Sequence, residues 1–193
     1  VVCEVRPEKD DPNRTHITIG GRRICYPGDV GTNTASLELF KLLLNSVLLR
    51  KGARFSTIDL KNFYLDTPMP DPEYVPIKIS DIPAEFIEGY KLTGSDRDGW
   101  IYFEIHKGCY VLLQAGILAN DLLQSCLLAK GYYEADSTPG LWRHKWHPIQ
   151  FCLIVDDFGF DYVVIEHFNH LLDLLKKFHG VQCNMAGDKF AGI

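Results

Sequence analysis

Apolar positions along the chain follow two rhythms. From Thr34 to Lys51, Leu37, Phe40, Leu44 and Val47 recur every three or four residues and so share one face of a helix. Thr34 is placed to cap its start, Arg50 and Lys51 suit the negative end of its dipole, and Gly52 supplies a left-handed exit. The same spacing predicts a helix over about Gly116 to Lys130, stopped by Gly131. Another covers about 165 to 178, where Leu171, Leu174 and Phe178 align ahead of Gly180. Elsewhere the apolar residues form short runs rich in β-branched and aromatic side chains: RFSTIDL (54–60), YVPIKI (74–79), WIYFEIH (100–106), LWRHKW (141–146), FCLIV (151–155) and FGFDYVV (158–164). THITIGGRRICY (15–26) alternates on both sides of Gly20-Gly21 and reads as a hairpin with Arg22 and Arg23 near its turn.

The order strand, helix, hairpin, helix, strand is what a split βαβ, ferredoxin-like sheet requires. The expected class is α+β, an antiparallel sheet with helices on one face. Residues 66–107, with two strands around the proline-started segment IPAEFIEGY, read as a peripheral insert.

With 193 residues, 46% of them hydrophobic, the chain can fill one large core or two small ones. Its net charge of -5 argues against nucleic-acid binding until the placement of charge is considered. Between Asp66 and Glu104 nine acidic residues face three basic ones; the totals of 25 and 20 then leave 16 acidic and 17 basic residues elsewhere, so basic patches are open to the rest of the chain. Six cysteines, at 3, 25, 109, 126, 152 and 183, form no CxxC pair; they fit reduced thiols better than an ordinary zinc site. No apolar run approaches the roughly 20 residues of a membrane span, and no signal-peptide pattern is present, so a soluble chain is expected. A start at Val1 and an end in the strand-like KFAGI lead to the expectation of a piece of a longer polyprotein.

The chemical question lies in FCLIVDDFGF. A buried, unpaired carboxylate costs several kcal/mol or more, so Asp156 and Asp157 must sit at a turn, hold a cation, or both. Read alone, VDD is a two-residue hairpin turn in which aspartate tolerates the left-handed conformation, and a solvated turn is the ordinary reading. Asp59 changes the balance because it closes a second apolar strand. If the two strands are neighbours, Asp59 and Asp156 converge at one sheet edge, and carboxylates that close repel unless a divalent cation lies between them.

FSTIDLKNFY, GCYVLLQAG, LIVDDFG and KFAGI resemble, in order and spacing, the sequence blocks of reverse transcriptases. DLKNFYLDTPM with EYVPIK, and GYYEADSTPGLWRHK, are most similar to the RNA-directed DNA polymerases of copia-type LTR retrotransposons. The resemblance implies one reverse transcriptase domain fragment over 1–193: fingers-like at about 1–58 and 66–107, palm-like at about 59–65 and 108–193, without thumb or RNase H. It implies that Asp59 and Asp156 ligate two Mg2+ ions, Mn2+ being a possible substitute. Asp157 would be a weaker ligand or fix the turn, and the main-chain oxygen of Leu60 would be a further ligand. Tyr64 matches the aromatic gate that excludes a ribose 2′-hydroxyl, and Gln114 the glutamine that lies against the incoming nucleotide. One of Arg14, Arg22 and Arg23 would bind the triphosphate, whose oxygens a guanidinium matches in pairs. Lys61 would offset phosphate charge.

The implied partners are an RNA template, a DNA primer, dNTPs and the rest of a Pol polyprotein (RNase H and integrase), in a cytoplasmic virus-like particle. The duplex would be held through its phosphates; Arg50, Lys51, Arg54, Arg143, His144, Lys145 and His147 are candidates, against the plainer reading of a solvated charged face. His167 and His170 share a helix face with no acidic partner at zinc spacing and read as solvated.

Val111, Leu113 and Ala115 depart from the family pattern Tyr-Gly-Leu-Pro-Gln-Ser-Gly, and Ile154 stands where tyrosine is usual. Glycine and proline set backbone geometry that Val111 and Leu113 do not reproduce, which points to a decayed copy. The competing function is a catalytically silent fold that binds RNA or a protein. A nucleotide cyclase on a similar sheet would need a glycine-rich phosphate turn, which the catalytic hairpin lacks.

Overall fold

The structure, a computed structural model, describes residues 2–5, 13–16, 26–28 and 30–190. Strands β1 (Val2–Val5) and β2 (Asn13–His16) form a small antiparallel ribbon. Helix α1 (Leu37–Leu49) leads into β3 (Arg54–Lys61). A second ribbon pairs β4 (Pro68–Lys78) with β5 (Trp100–Lys107) and carries the short α2 (Ala84–Gly89) between them. The chain continues through α3 (Ala115–Leu128), β6 (Tyr132–Glu134), β7 (Leu141–His144), β8 (Ile149–Ile154), β9 (Asp157–Tyr162), α4 (Ile165–Leu175) and β10 (Gly180–Asn184).

Six strands form one antiparallel sheet in the order β10-β3-β9-β8-β7-β6. β9 lies between β3 and β8, and α3 falls in the stretch of chain that runs from β3 to β8, so the core connectivity is a split βαβ elaborated by the β4–β5 ribbon and by β6 and β7. Alternation along the strands divides the core. Ile58, Leu60, Phe151, Leu153, Phe158 and Phe160 meet the apolar stripes of α3 (Ala119, Leu123, Leu127) and α4 (Phe168, Leu171, Leu174, Leu175). Intervening positions, including Cys152 and Phe55, meet Phe40 and Leu43 of α1 with Phe190. The α+β class with an antiparallel sheet therefore stands, with helices covering both faces: α3 and α4 on one, α1 on the other.

An ion pair inside the fold fastens α1. Asp161 of β9 is fully buried. Its Oδ1 is ion-paired with Arg50 Nη2 at 2.7 Å, and its Oδ2 accepts Ser46 Oγ at 3.0 Å and Gln150 Nε2 at 3.1 Å. A buried carboxylate needs a counter-charge and donors of this kind to offset its lost hydration.

Several local expectations change. Ser36 caps α1 in place of Thr34, accepting the Leu39 amide on Oγ at 3.2 Å. β3 runs unbroken through residue 58, so residues 54–58 belong with the large sheet and not with the 1–58 segment. The Gly20-Gly21 hairpin turn lies outside the described residues, while β2 pairs with β1. Lys189 and Phe190, the described part of KFAGI, are not strand; the Phe190 ring is buried instead and stacks on Phe40 at 4.3 Å. Among the described residues no helix is long and apolar enough to cross a membrane.

Candidate active site

Three carboxylates meet where β3 passes the β8–β9 turn. Asp59 of β3 and Asp157 of β9 are directly opposed in the antiparallel register. Opposed residues share a face of the sheet, with Cβ atoms about 4.5–5.5 Å apart. Asp156 precedes Asp157 in the turn, and its carbonyl accepts the Leu60 amide at 3.0 Å, which ties the turn to β3. The turn residues are Val155 and Asp156, because Ile154 and Asp157 already pair across the hairpin. Its positive φ, 59°, falls on Val155 and not on an aspartate. A β-branched residue rarely adopts that conformation, and the strain is of order 1–2 kcal/mol.

The electrostatics follow from packing. Asp59, Asp156 and Asp157 are all half-buried. Burial, then the charges of Asp156 and Asp59, pushes the Asp157 carboxyl up to about 6. Asp156 is also raised, first by burial and further by Asp59. Among the described residues no Lys, Arg or His forms an ion pair with any of the three. The three are neighbours without closing on one point: among those residues, the group of three ligand atoms lying within 4.8 Å of one another is His144, His147 and His170.

Tyr64 links the carboxylates to a cleft of about 260 Å³, lined also by Thr32, Val111, Leu113, Ala115 and Gly116. Its half-buried ring meets Tyr110 edge-on at 5.9 Å, and its hydroxyl pKa is raised by burial and then by the Asp156 charge. Gly108 makes this packing possible, since a Cβ there would lie 2.5 Å from the Tyr64 carbonyl oxygen. Val111 is 57% exposed at the cleft and holds φ at 73°, a conformation suited to glycine.

Other expected site residues are dispersed. Leu60 buries its side chain in the core, and Lys61 is exposed at the end of β3 opposite Gly180. Gln114 is buried with its amide nitrogen 2.6 Å from Glu73 Oε1, outside the lining of the cleft. Arg14 lies in β2, and Arg22 and Arg23 fall outside the described residues. Arg50 is engaged by Asp161, and His144 is buried, so neither offers a free phosphate contact; Arg143 and Lys145 are exposed.

The sequence reading missed Glu73 and the convergence of histidines from the β7–β8 connection and α4. A signal existed for the second: the spacing His-x-x-His occurs twice, at 144/147 and at 167/170. Comparison with protein-family models, curated proteins and solved structures finds no match to this chain.

Proposed function

We propose that this chain is the catalytic core of an RNA-directed DNA polymerase of the copia-type retrotransposon class, transferring a nucleotide from a dNTP to a primer 3′-hydroxyl on an RNA template. In that reading the six-stranded sheet with α3 and α4 is the palm, and the β4–β5 ribbon belongs to the fingers. The observation that carries the proposal is the register of Asp59 against Asp157, with Asp156 in the adjoining turn.

The donor set suits a divalent hard cation: three half-buried carboxylates, two with raised pKa values and none ion-paired among the described residues. Asp59 and Asp156 would hold Mg2+, with Asp157 assisting. An Mg2+ ion held there would supply the chemistry of lowering the pKa of a hydroxyl nucleophile and neutralising triphosphate charge. The chain's own residues supply the rest. The Leu60–Asp156 backbone bond fixes the turn against β3, the Tyr64 ring bounds the cleft where it would exclude a 2′-hydroxyl, and exposed Arg143 and Lys145 remain for phosphate contacts.

Val111 favours a second reading, a decayed polymerase fold that only binds RNA or a protein. A strained, exposed valine lines the cleft where the resembling family has glycine. Primer extension on an RNA template with Mg2+ separates the two. The comparison takes the chain, Asp156→Asn, and a triple variant with Val111→Gly, Leu113→Pro and Ala115→Ser. Extension by the original chain, lost in Asp156→Asn, supports the polymerase. Extension by the triple variant alone marks decay, and silence from every form, with retained RNA binding, overturns the catalytic reading.

A further inference from the structure

The opposite end of β8 gathers a different chemistry. His144 ends β7, His147 lies in the connection to β8, and His170 projects from α4. One ring nitrogen from each lies within 4.8 Å of the other two. The His147 ring centroid is 4.4 Å from that of His144, 4.8 Å from that of His170 and 4.7 Å from that of His167. Two segments distant in sequence, residues 144–147 and α4, thus deliver four imidazoles to one place.

Their other contacts decide what such a cluster can do. His170 Nδ1 is 2.9 Å from the buried Tyr132 hydroxyl, and Nε2 makes no hydrogen bond among the described residues. His144 Nδ1 accepts the amides of Trp146 at 3.1 Å and His147 at 3.0 Å, so Nε2 carries the proton and donates to the Lys130 carbonyl at 2.8 Å. A metal-bound histidine uses one ring nitrogen as ligand while the other donates to an oxygen that fixes its tautomer. His170 and His144 have such oxygens in Tyr132 and Lys130, and ligation through His144 Nδ1 would replace two backbone hydrogen bonds of ordinary length with the metal bond. Burial, before any other cause, lowers the pKa of both His144 and His170, which favours the neutral, ligating form at pH 7.

We propose that His144, His147 and His170 form a binding site for a borderline divalent transition metal such as Zn2+, with His167 beside it. Zinc–nitrogen bonds of about 2.0–2.1 Å place tetrahedral ligand atoms about 3.4 Å apart, so the rings need to close by up to about 1.4 Å from the widest separation allowed here, 4.8 Å. His144 and His147 also line a cleft of about 200 Å³ with Arg50, Arg143 and Gln150. The metal would fasten α4 to the edge of the sheet. β8 separates it from the carboxylates by five residue steps, roughly 17 Å, so the site is independent of polymerase chemistry.

The test is equilibrium dialysis of chelator-stripped, untagged protein against Zn2+, with Co2+ as a spectroscopic probe. One equivalent bound per chain is expected, with Co2+ absorption bands of a tetrahedral or five-coordinate nitrogen site. His147→Gln and His170→Gln should each weaken binding at least tenfold and abolish the zinc-dependent rise in melting temperature, while Asp59→Asn leaves both intact. His147→Gln lies in a connection and is the variant least exposed to folding failure. No zinc binding by the parent chain, or equal binding by the double His147/His170 variant, overturns the site.

Discussion

Asp59 and Asp157 face each other across β3 and β9, half-buried and with no basic residue paired to them among the described residues. Their proximity to Asp156 stores repulsion in the metal-free fold. Asp157 has a folded pKa of about 6 against an ordinary value of 3.8, so its protonated form stabilises the fold below the ordinary value, and that contribution is lost as pH rises through 6. Asp157→Asn should therefore be more stable than the parent by about 1 kcal/mol at pH 7.5, after allowance for solvent screening. Urea denaturation in chelator at pH 4 and pH 7.5 checks this: the gap should close toward the acid end, and a gap independent of pH would remove the carboxylate explanation.

A second prediction concerns Val111, held at φ 73° with 57% of its surface exposed. Glycine removes the left-handed strain and forfeits little packing. Val111→Gly should raise stability by about 1 kcal/mol, the strain relieved exceeding the added chain entropy. Val111→Ala retains a Cβ and should recover less; equal melting temperatures for glycine and alanine would show that the strain is absent in solution.

The split βαβ core, and with it the meeting of Asp59 with the VDD turn, was legible because strands with a buried face must alternate and because a split βαβ has few threadings; the six-strand order was not, since β6 is only three residues long. The placement of strain was not. Turn chemistry predicts a positive φ on aspartate, yet the register pairs Asp157 with Ile154 and leaves Val155 to turn the corner. Gln114 was read toward a nucleotide from its block, whereas Glu73, 41 residues away, takes its amide. The histidine cluster was invisible for the same reason: each His-x-x-His looked solvated alone, and only tertiary packing of α4 against the β7–β8 connection joins them.

The Arg50–Asp161 pair yields an asymmetric prediction. Asp161 is fully buried and Arg50 is 38% exposed, so the two halves do not cost the same when removed. Arg50→Met leaves a dry carboxylate with only the hydroxyl of Ser46 and the amide of Gln150 and should cost about 3 kcal/mol. Asp161→Asn frees a guanidinium that can turn toward water and should cost about half as much. Guanidinium denaturation of the two variants reads the difference directly, and the reverse order would mean that Arg50 is anchored by something other than Asp161.

Gly159 and Phe190 carry the last prediction. A Cβ on Gly159 would lie 2.9 Å from the Phe190 ring, which is itself buried and stacked on Phe40 at 4.3 Å. Gly159→Ala should cost about 1–3 kcal/mol by overpacking. The strain would also bear on β9 two residues from Asp157, so the mutation tests whether the segment after β10 helps to hold the carboxylate edge. Phe190→Leu removes the ring but keeps apolar bulk. In the double variant the alanine should become nearly neutral, giving a coupling of at least 1 kcal/mol in a double-mutant cycle. Additive losses would mean that Phe190 leaves its place against β9 in solution, and that the Gly159 glycine answers to the strand and not to the ring above it.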